Sequence, residues 1–173
     1  MKYTIAIDNG VTGSITILED GKLKFFDSIP IFKDLNYTKT KQFINRINVE
    51  KLLLIFSEYI PFPDESIAIM ERPMVNPMRF KSTTSALRAL EAELICLKIY
   101  KIPYLFIDSK EWQKVMLPAG LEKGELKQAS DMVAKRIFPE IEDKIKDGKG
   151  DSLLIARYYF QKYSMESKKR SNE

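Results

Sequence analysis

Four carboxylates, Asp8, Glu71, Asp147 and Asp151, occupy positions where an acid needs a reason. Asp8 closes the β-rich run 3–7 and precedes Asn9-Gly10-Val11-Thr12-Gly13, after which the chain resumes as a second β-rich run. A carboxylate at the end of a buried strand is costly to desolvate unless a cation compensates it. Glu71 ends the short apolar run 66–71 in the same way. Asp147 and Asp151 are four apart, the spacing that shares a helical face, although Gly148 and Gly150 point to Asp147 lying in the lead-in to the last helical stretch.

Parallel neighbouring strands would set Asp8 beside Glu71, and a helix packed across them could bring its first-turn acids to the same point. Acids converging like this repel one another, and hard divalent cations on oxygen ligands, Mg²⁺ or Mn²⁺, relieve the repulsion. Two such ions about 4 Å apart activate a water on one side of a phosphodiester and stabilise the leaving oxygen on the other. Each acid also has a plainer reading. Asp8 could cap its turn, Asp151 could answer a helix dipole, and Glu71 could pair with Arg72 or Arg79.

Composition narrows the chemistry. The 173 residues contain no histidine and one cysteine, which removes Ser-His-Asp and Cys-His mechanisms and leaves too little for a zinc site. Cys96 falls in a helical pattern and is expected in the core. Apolar residues at 45% and charged residues at 30% fit one ordinary globular domain. No apolar run approaches the ~20 residues of a membrane span, and the first residues lead straight into the Asp8 strand, so a cytoplasmic, non-secreted protein is expected. The net charge of +4 is modest, but basic residues cluster. Arg72, Arg79, Lys81 and Arg88 follow Glu71 without an intervening acid, where incoming phosphates would need their charge offset. Met74, Met78 and Phe80 lie among them and either press into nucleic acid or anchor a loop on the core. Lys39, Lys41, Arg46 and Lys51 form a second basic cluster. Trp112 is expected in the core.

Periodicity predicts the elements that position these groups. Strands are expected at 3–7, 14–18 and 23–28, joined as an antiparallel meander through a Glu19-Asp20-Gly21-Lys22 turn. A loop is expected over 29–40 and a helix over 44–59. A buried strand follows at 66–71, then a long helix over 82–100, with Leu87, Leu90, Leu94 and Leu97 on one side and a slim alanine face that suits a second subunit. A strand at 103–107, helices at 109–116 and 125–138, and a last helix at 151–163 complete the chain. The result is an α/β domain over 1–163, a five-stranded mixed sheet of three antiparallel and two parallel strands flanked by helices, with 164–173 as a flexible basic tail.

The segments IAIDNGVTGSITI, AIMERP, SKEWQK with KGELKQASDMVAKRIFP, and DGKGDSLLIA, taken in order, resemble the landmarks of RuvC-type Holliday junction resolvases, particularly their phage-like branch. The resemblance runs from Tyr3 to about Tyr163. It implies an RNase H-like fold, a homodimer, for which the helix 82–100 is the expected interface from its own two faces, and Mg²⁺-dependent nicking of opposed strands at a four-way DNA junction. It implies Asp8, Glu71, Asp147 and Asp151 as metal ligands, with Lys114 and Lys127 as catalytic lysines. It matches Asp147 least closely, since the spacing before the last aspartate varies in the family. An aromatic wedge found in family members just after the glutamate is replaced here by Met74, with Phe80 further on.

Three other readings share parts of this pattern. Asp-x-Gly-x-Thr-Gly opens the phosphate loop of sugar kinases and actin-like ATPases, although those need two such domains. Ribonuclease H has the same metal chemistry and acts on RNA/DNA hybrid. A junction-binding module would carry the acids as structure alone.

Overall fold

A computed structural model describes residues 1–170, with side chains through residue 164. β1 (Tyr3–Ile7), β2 (Ser14–Glu19) and β3 (Lys22–Ser28) are the expected antiparallel meander, while β6 (Ser66–Glu71) and β7 (Tyr104–Ile107) run parallel to β1. These five strands form the main sheet in the order β3-β2-β1-β6-β7. Asp20 and Gly21 both take positive φ, 49° and 78°, the two-residue turn that suits the right-handed twist of a hairpin.

Every residue of β1 is buried, as a central strand covered on both faces must be. Alternation sends Tyr3, Ile5 and Ile7 to one face, where Leu52 and Phe56 of α1 (Val49–Tyr59) and Ala89, Cys96 and Leu97 of α2 (Phe80–Ile99) meet them. Ala6 and Ile69 face the other way. There they pack with Trp112 of α3 (Ser109–Met116), Ala134 of α4 (Leu126–Ile137) and the run 153–156 of α5 (Gly150–Arg170). Cys96 and Trp112 are thus core residues, as expected, and burial pushes the Cys96 thiol up to about 11.

The expected loop over 29–40 and the expected helix start at 44 are both corrected. Ile31–Leu35 and Phe43–Ile47 pair antiparallel as a separate two-stranded sheet, β4 and β5, and Asn48 then caps α1 by accepting the Lys51 N–H at 3.0 Å. The hairpin escapes sequence reading because the seven residues joining its strands contain no glycine or proline. Asn48, by contrast, is an ordinary helix-start signal. The last helix continues past the expected Tyr163 to Arg170, in keeping with a stretch free of glycine and proline; residues 171–173 of the expected tail lie outside the described residues. No helix among the described residues is long and apolar enough to cross a membrane.

Candidate metal centre

The register of β1 on β6 pairs Ile7 with Met70, so Asp8 and Glu71 follow as neighbours one residue on. Ala6 and Ile69 point to the α5 side of the sheet, and by alternation so do Asp8 and Glu71. Asp151, in the first turn of α5, meets them there. One carboxylate oxygen from each of Asp8, Glu71 and Asp151 lies within 4.8 Å of the other two.

The turn after β1 makes room for this. Asp8 N–H donates to Ser14 O at 3.0 Å and Gly13 N–H donates to Gly10 O at 3.0 Å, closing a compact loop. Gly10 takes a φ of 134°. Asn9 extends its amide to the Ala86 carbonyl of α2 at 3.4 Å, so the loop is tied to the helix on the opposite face.

The start of α5 is held from two directions. On the sheet side, the Ser14 hydroxyl donates to Ser152 Oγ at 2.8 Å, and Thr16 Oγ1 shares a 2.8 Å hydrogen bond with the same atom. On the α4 side, Asp131 accepts the Gly148 and Gly150 N–H groups at 2.9 Å each, satisfying donors that a helix start leaves open. Ser130 donates its hydroxyl to Asp151 Oδ1. The lead-in is tight: Asp147 and Gly148 take φ of 61° and 79°, and a β-carbon at Gly150 would fall 2.8 Å from Ser130 O.

Electrostatics match the crowding. Burial, then Asp151 and Glu71, raise the Asp8 carboxyl well above the usual range, and Lys127 opposes the rise. Burial and Asp151 push Glu71 up to about 7. Trp112 and Ser109 pull it down, the former without a hydrogen bond of ordinary geometry at its indole nitrogen. Asp151 is raised chiefly by burial, with Ser130 and Lys127 opposing it and Asp131 adding to it. An all-oxygen cluster whose members drift toward neutrality without a cation fits hard divalent metal, so Asp8, Glu71 and Asp151 could hold one. Beneath the turn, Glu93 of α2 is fully buried, and its carboxyl is also raised well above the usual range by burial, with the Gly10 backbone lowering it and Asp8 adding to the rise. Sequence reading passed over Glu93 and the helix-start acceptor Asp131, since an acid inside a helical pattern gives no sign that it is buried or that it serves another element.

The other expected residues divide. Lys127 lines the cleft with Asp8, and its stem passes close over Gly148. Asp147 is exposed on the wall of that cleft and does not join the three gathered carboxylates. Lys114 is exposed in the last turn of α3 and does not line the cleft. Arg72 lines a cleft of about 450 Å³ together with Asp8, Glu71, Met74 and Arg79. Its guanidinium is tied to Asp108 at 2.9 Å, so the plainer pairing of Glu71 with Arg72 does not occur. Arg79, Phe80 and Lys81 are exposed, and Arg88 is half-buried. The loop carrying Met74 and Met78 is built on α2: the Thr83 hydroxyl donates to Asn76 O at 2.9 Å and accepts the Asn76 N–H at 3.1 Å. Met74, Met78 and Phe80 nevertheless face solvent, at 70%, 92% and 71% exposure, so they do not anchor the loop.

No protein-family model matches the sequence, and no curated protein matches it. Solved structures do. Thermus thermophilus RuvC in complex with a Holliday junction substrate aligns with a TM-score of 0.62 at 12% identity, over 95% of this chain and 96% of that one. A second Thermus thermophilus RuvC structure aligns with a TM-score of 0.52 at 12% identity, over 94% and 96%. The fold is therefore that of RuvC, an RNase H-like mixed sheet between helical layers, and the resemblance read from the sequence holds at this level.

Proposed function

We propose that the chain is a Mg²⁺- or Mn²⁺-dependent endonuclease that nicks opposed strands of four-way DNA junctions as a homodimer in the cytoplasm, its own or that of a host cell. One observation carries the reading: Asp8, Glu71 and Asp151 bring carboxylate oxygens within 4.8 Å of one another, with Asp8 and Glu71 lining a cleft, on a fold shared with RuvC. Two divalent ions held by these oxygens would offset charge on the phosphodiester and activate the attacking water. Asp147, which lines a cleft together with Asp8, would complete the set.

The chain's own groups supply the rest. Lys127 presents its ammonium beside Asp8 and Asp151, where it attracts a phosphate as well as easing the acids' repulsion. Ser130 orients Asp151. Arg79, Lys81 and Arg88 offset backbone charge along the approach, while Met74 and Phe80 stand free to press against unstacked bases at the branch. Lys114, expected as a catalytic lysine, lies apart from the cleft and is given no part in the chemistry. The exposed α2 residues Ile95 and Ile99, one turn apart, offer an apolar surface, and a two-fold dimer through it would present two clefts to a two-fold substrate.

The test is cleavage of a labelled four-way junction, a linear duplex and an RNA/DNA hybrid with Mg²⁺, beside Asp8→Asn. Symmetric nicks in the junction, reduced more than ~100-fold in the variant, are expected, the scale of losing an electrostatic contributor to a transition state. Cleavage of the hybrid alone would replace this reading with ribonuclease H, and binding without cleavage would replace it with a junction-binding module.

A further inference from the structure

The β4–β5 hairpin stands outside the sheet that builds the metal centre and contributes none of the three gathered acids. Its root is closed: Ile31 pairs with Ile47, and Asn48 N–H donates to Pro30 O at 2.8 Å. Ile31 also lines the cleft that contains Asp8, Lys127 and Lys149, so the hairpin rises from the rim of the site. Counting outward from Ile31 to Tyr37, it reaches roughly 20 Å at strand spacing.

Alternation puts Ile31, Lys33 and Leu35 on one face of β4, and the register sets Phe43 opposite Leu35. This face is open, with Leu35 49% and Phe43 70% exposed, and Tyr37 in the connecting segment is 84% exposed. Residues 29–48 hold four basic side chains and one acid, Asp34, which Arg46 engages at 3.0 Å. Lys33, Lys39 and Lys41 form no ion pair among the described residues. Three uncompensated lysines interleaved with Tyr37 and Phe43 suit nucleic acid, where phosphates take the charge and aromatic faces meet sugars or bases. The same charges argue against a second copy of the chain, because a two-fold contact sets a patch against itself and these lysines against one another.

We propose that the β4–β5 hairpin is a DNA-gripping arm that lies along the duplex leading away from the cleavage site, with Lys33, Lys39 and Lys41 on its phosphates and Tyr37 and Phe43 against its sugars and bases. A reach of roughly 20 Å covers about six nucleotide steps of one strand. The proposal rests on the reading of the cleft as a nuclease site, and the two fail separately.

Binding of the full chain to a fluorescent four-way junction is measured by anisotropy without metal, across a salt series, for the parent, for Lys33→Gln/Lys39→Gln/Lys41→Gln and for Tyr37→Ala/Phe43→Ala. Losing three phosphate contacts should flatten the slope of log affinity against log salt by about three and weaken binding at least ~10-fold at low salt. Single-turnover nicking under saturating protein and Mg²⁺ should persist, because the arm grips and does not react. Hydrogen exchange of the parent should show 36–42 protected by the junction, a readout that needs no variant. Parent-like binding and slope in both variants, or no protection, overturns the arm while leaving the nuclease reading intact. Loss of a parental dimer by light scattering in either variant overturns it in favour of contact between copies. A parent that neither binds nor cuts branched DNA overturns both readings.

Discussion

A β-carbon placed on Gly13 would collide with the carbonyl oxygen of Asp8. Asp8 of the gathered acids and the glycine that closes its turn are therefore one structural unit, because the backbone can return as β2 only where residue 13 has no side chain. Gly13→Ala should cost about 3 kcal/mol or more of stability, the range of a backbone that must shift to avoid a clash. Gly124, where an added methyl would meet nothing within 4 Å, is the control, and Gly124→Ala should change stability by less than ~0.5 kcal/mol. Urea unfolding of the two variants checks this, and equal midpoints would sink it.

Acids whose folded-state values are raised bind protons more tightly when folded than when unfolded. The unfolded chain then holds fewer protons across the intervening range, and stability falls as pH rises through it. For Glu71 that range runs from its ordinary value, 4.5, to about 7, and Asp8 and Asp151 act in the same direction. The melting temperature should therefore decline between about pH 5 and pH 7 in chelator, against a smaller decline in Asp8→Asn. Mg²⁺ should raise the melting temperature more at about pH 8 than at about pH 6, since protons compete for the same oxygens. Thermal melts in a pH series, with and without Mg²⁺, read both effects.

Ser130 donates to Asp151 and lowers its pKa, so its hydroxyl favours the charged, metal-ready carboxylate. Ser130→Ala should raise the Mg²⁺ concentration for half-maximal nicking by ~10-fold or more, the usual scale for a group that orients a ligand. The rate at saturating Mg²⁺ should change little. A variant with parental Mg²⁺ dependence would show that Asp151 is positioned by α5 alone.

Ile95 and Ile99 are 51% and 59% exposed on α2, one turn apart. Ile95→Glu with Ile99→Glu should give a monomer by light scattering, with the melting temperature within a few degrees of the parent. Paired nicks on one junction should then become independent single nicks, resolved by a cruciform plasmid that yields linear product only from two coordinated cuts. A doubly substituted chain that remains dimeric would place the interface elsewhere.

Much of the site was visible in the sequence because strand ends announce themselves. Asp8 and Glu71 each terminate an apolar run, and two parallel neighbours put such termini side by side whatever the loops do. Asp151 was legible for a similar reason, as the first acid of an apolar helix. Gly148 and Gly150 mark Asp147 as lead-in rather than helix, and its φ of 61° agrees; spacing of four means one face only if both residues are helical. The hairpin was hidden for the opposite reason, since its strands are short and partly exposed and the seven residues joining them carry no glycine or proline to mark a turn.

The hydroxyl contact between Ser14 and Ser152 joins residues 138 apart in the chain. β2 is made early and α5 follows every other described element, so all five strands of the sheet are synthesised before the helix that completes its second core. Asp8 and Glu71 wait without Asp151 over that interval. A chain stalled before α5 would expose the sheet face that Leu153, Leu154 and Ile155 cover and would lack an acid of the cleft. On the proposed nuclease reading, a chain that has not yet made α5 holds two of the three gathered acids and therefore lacks a complete cluster.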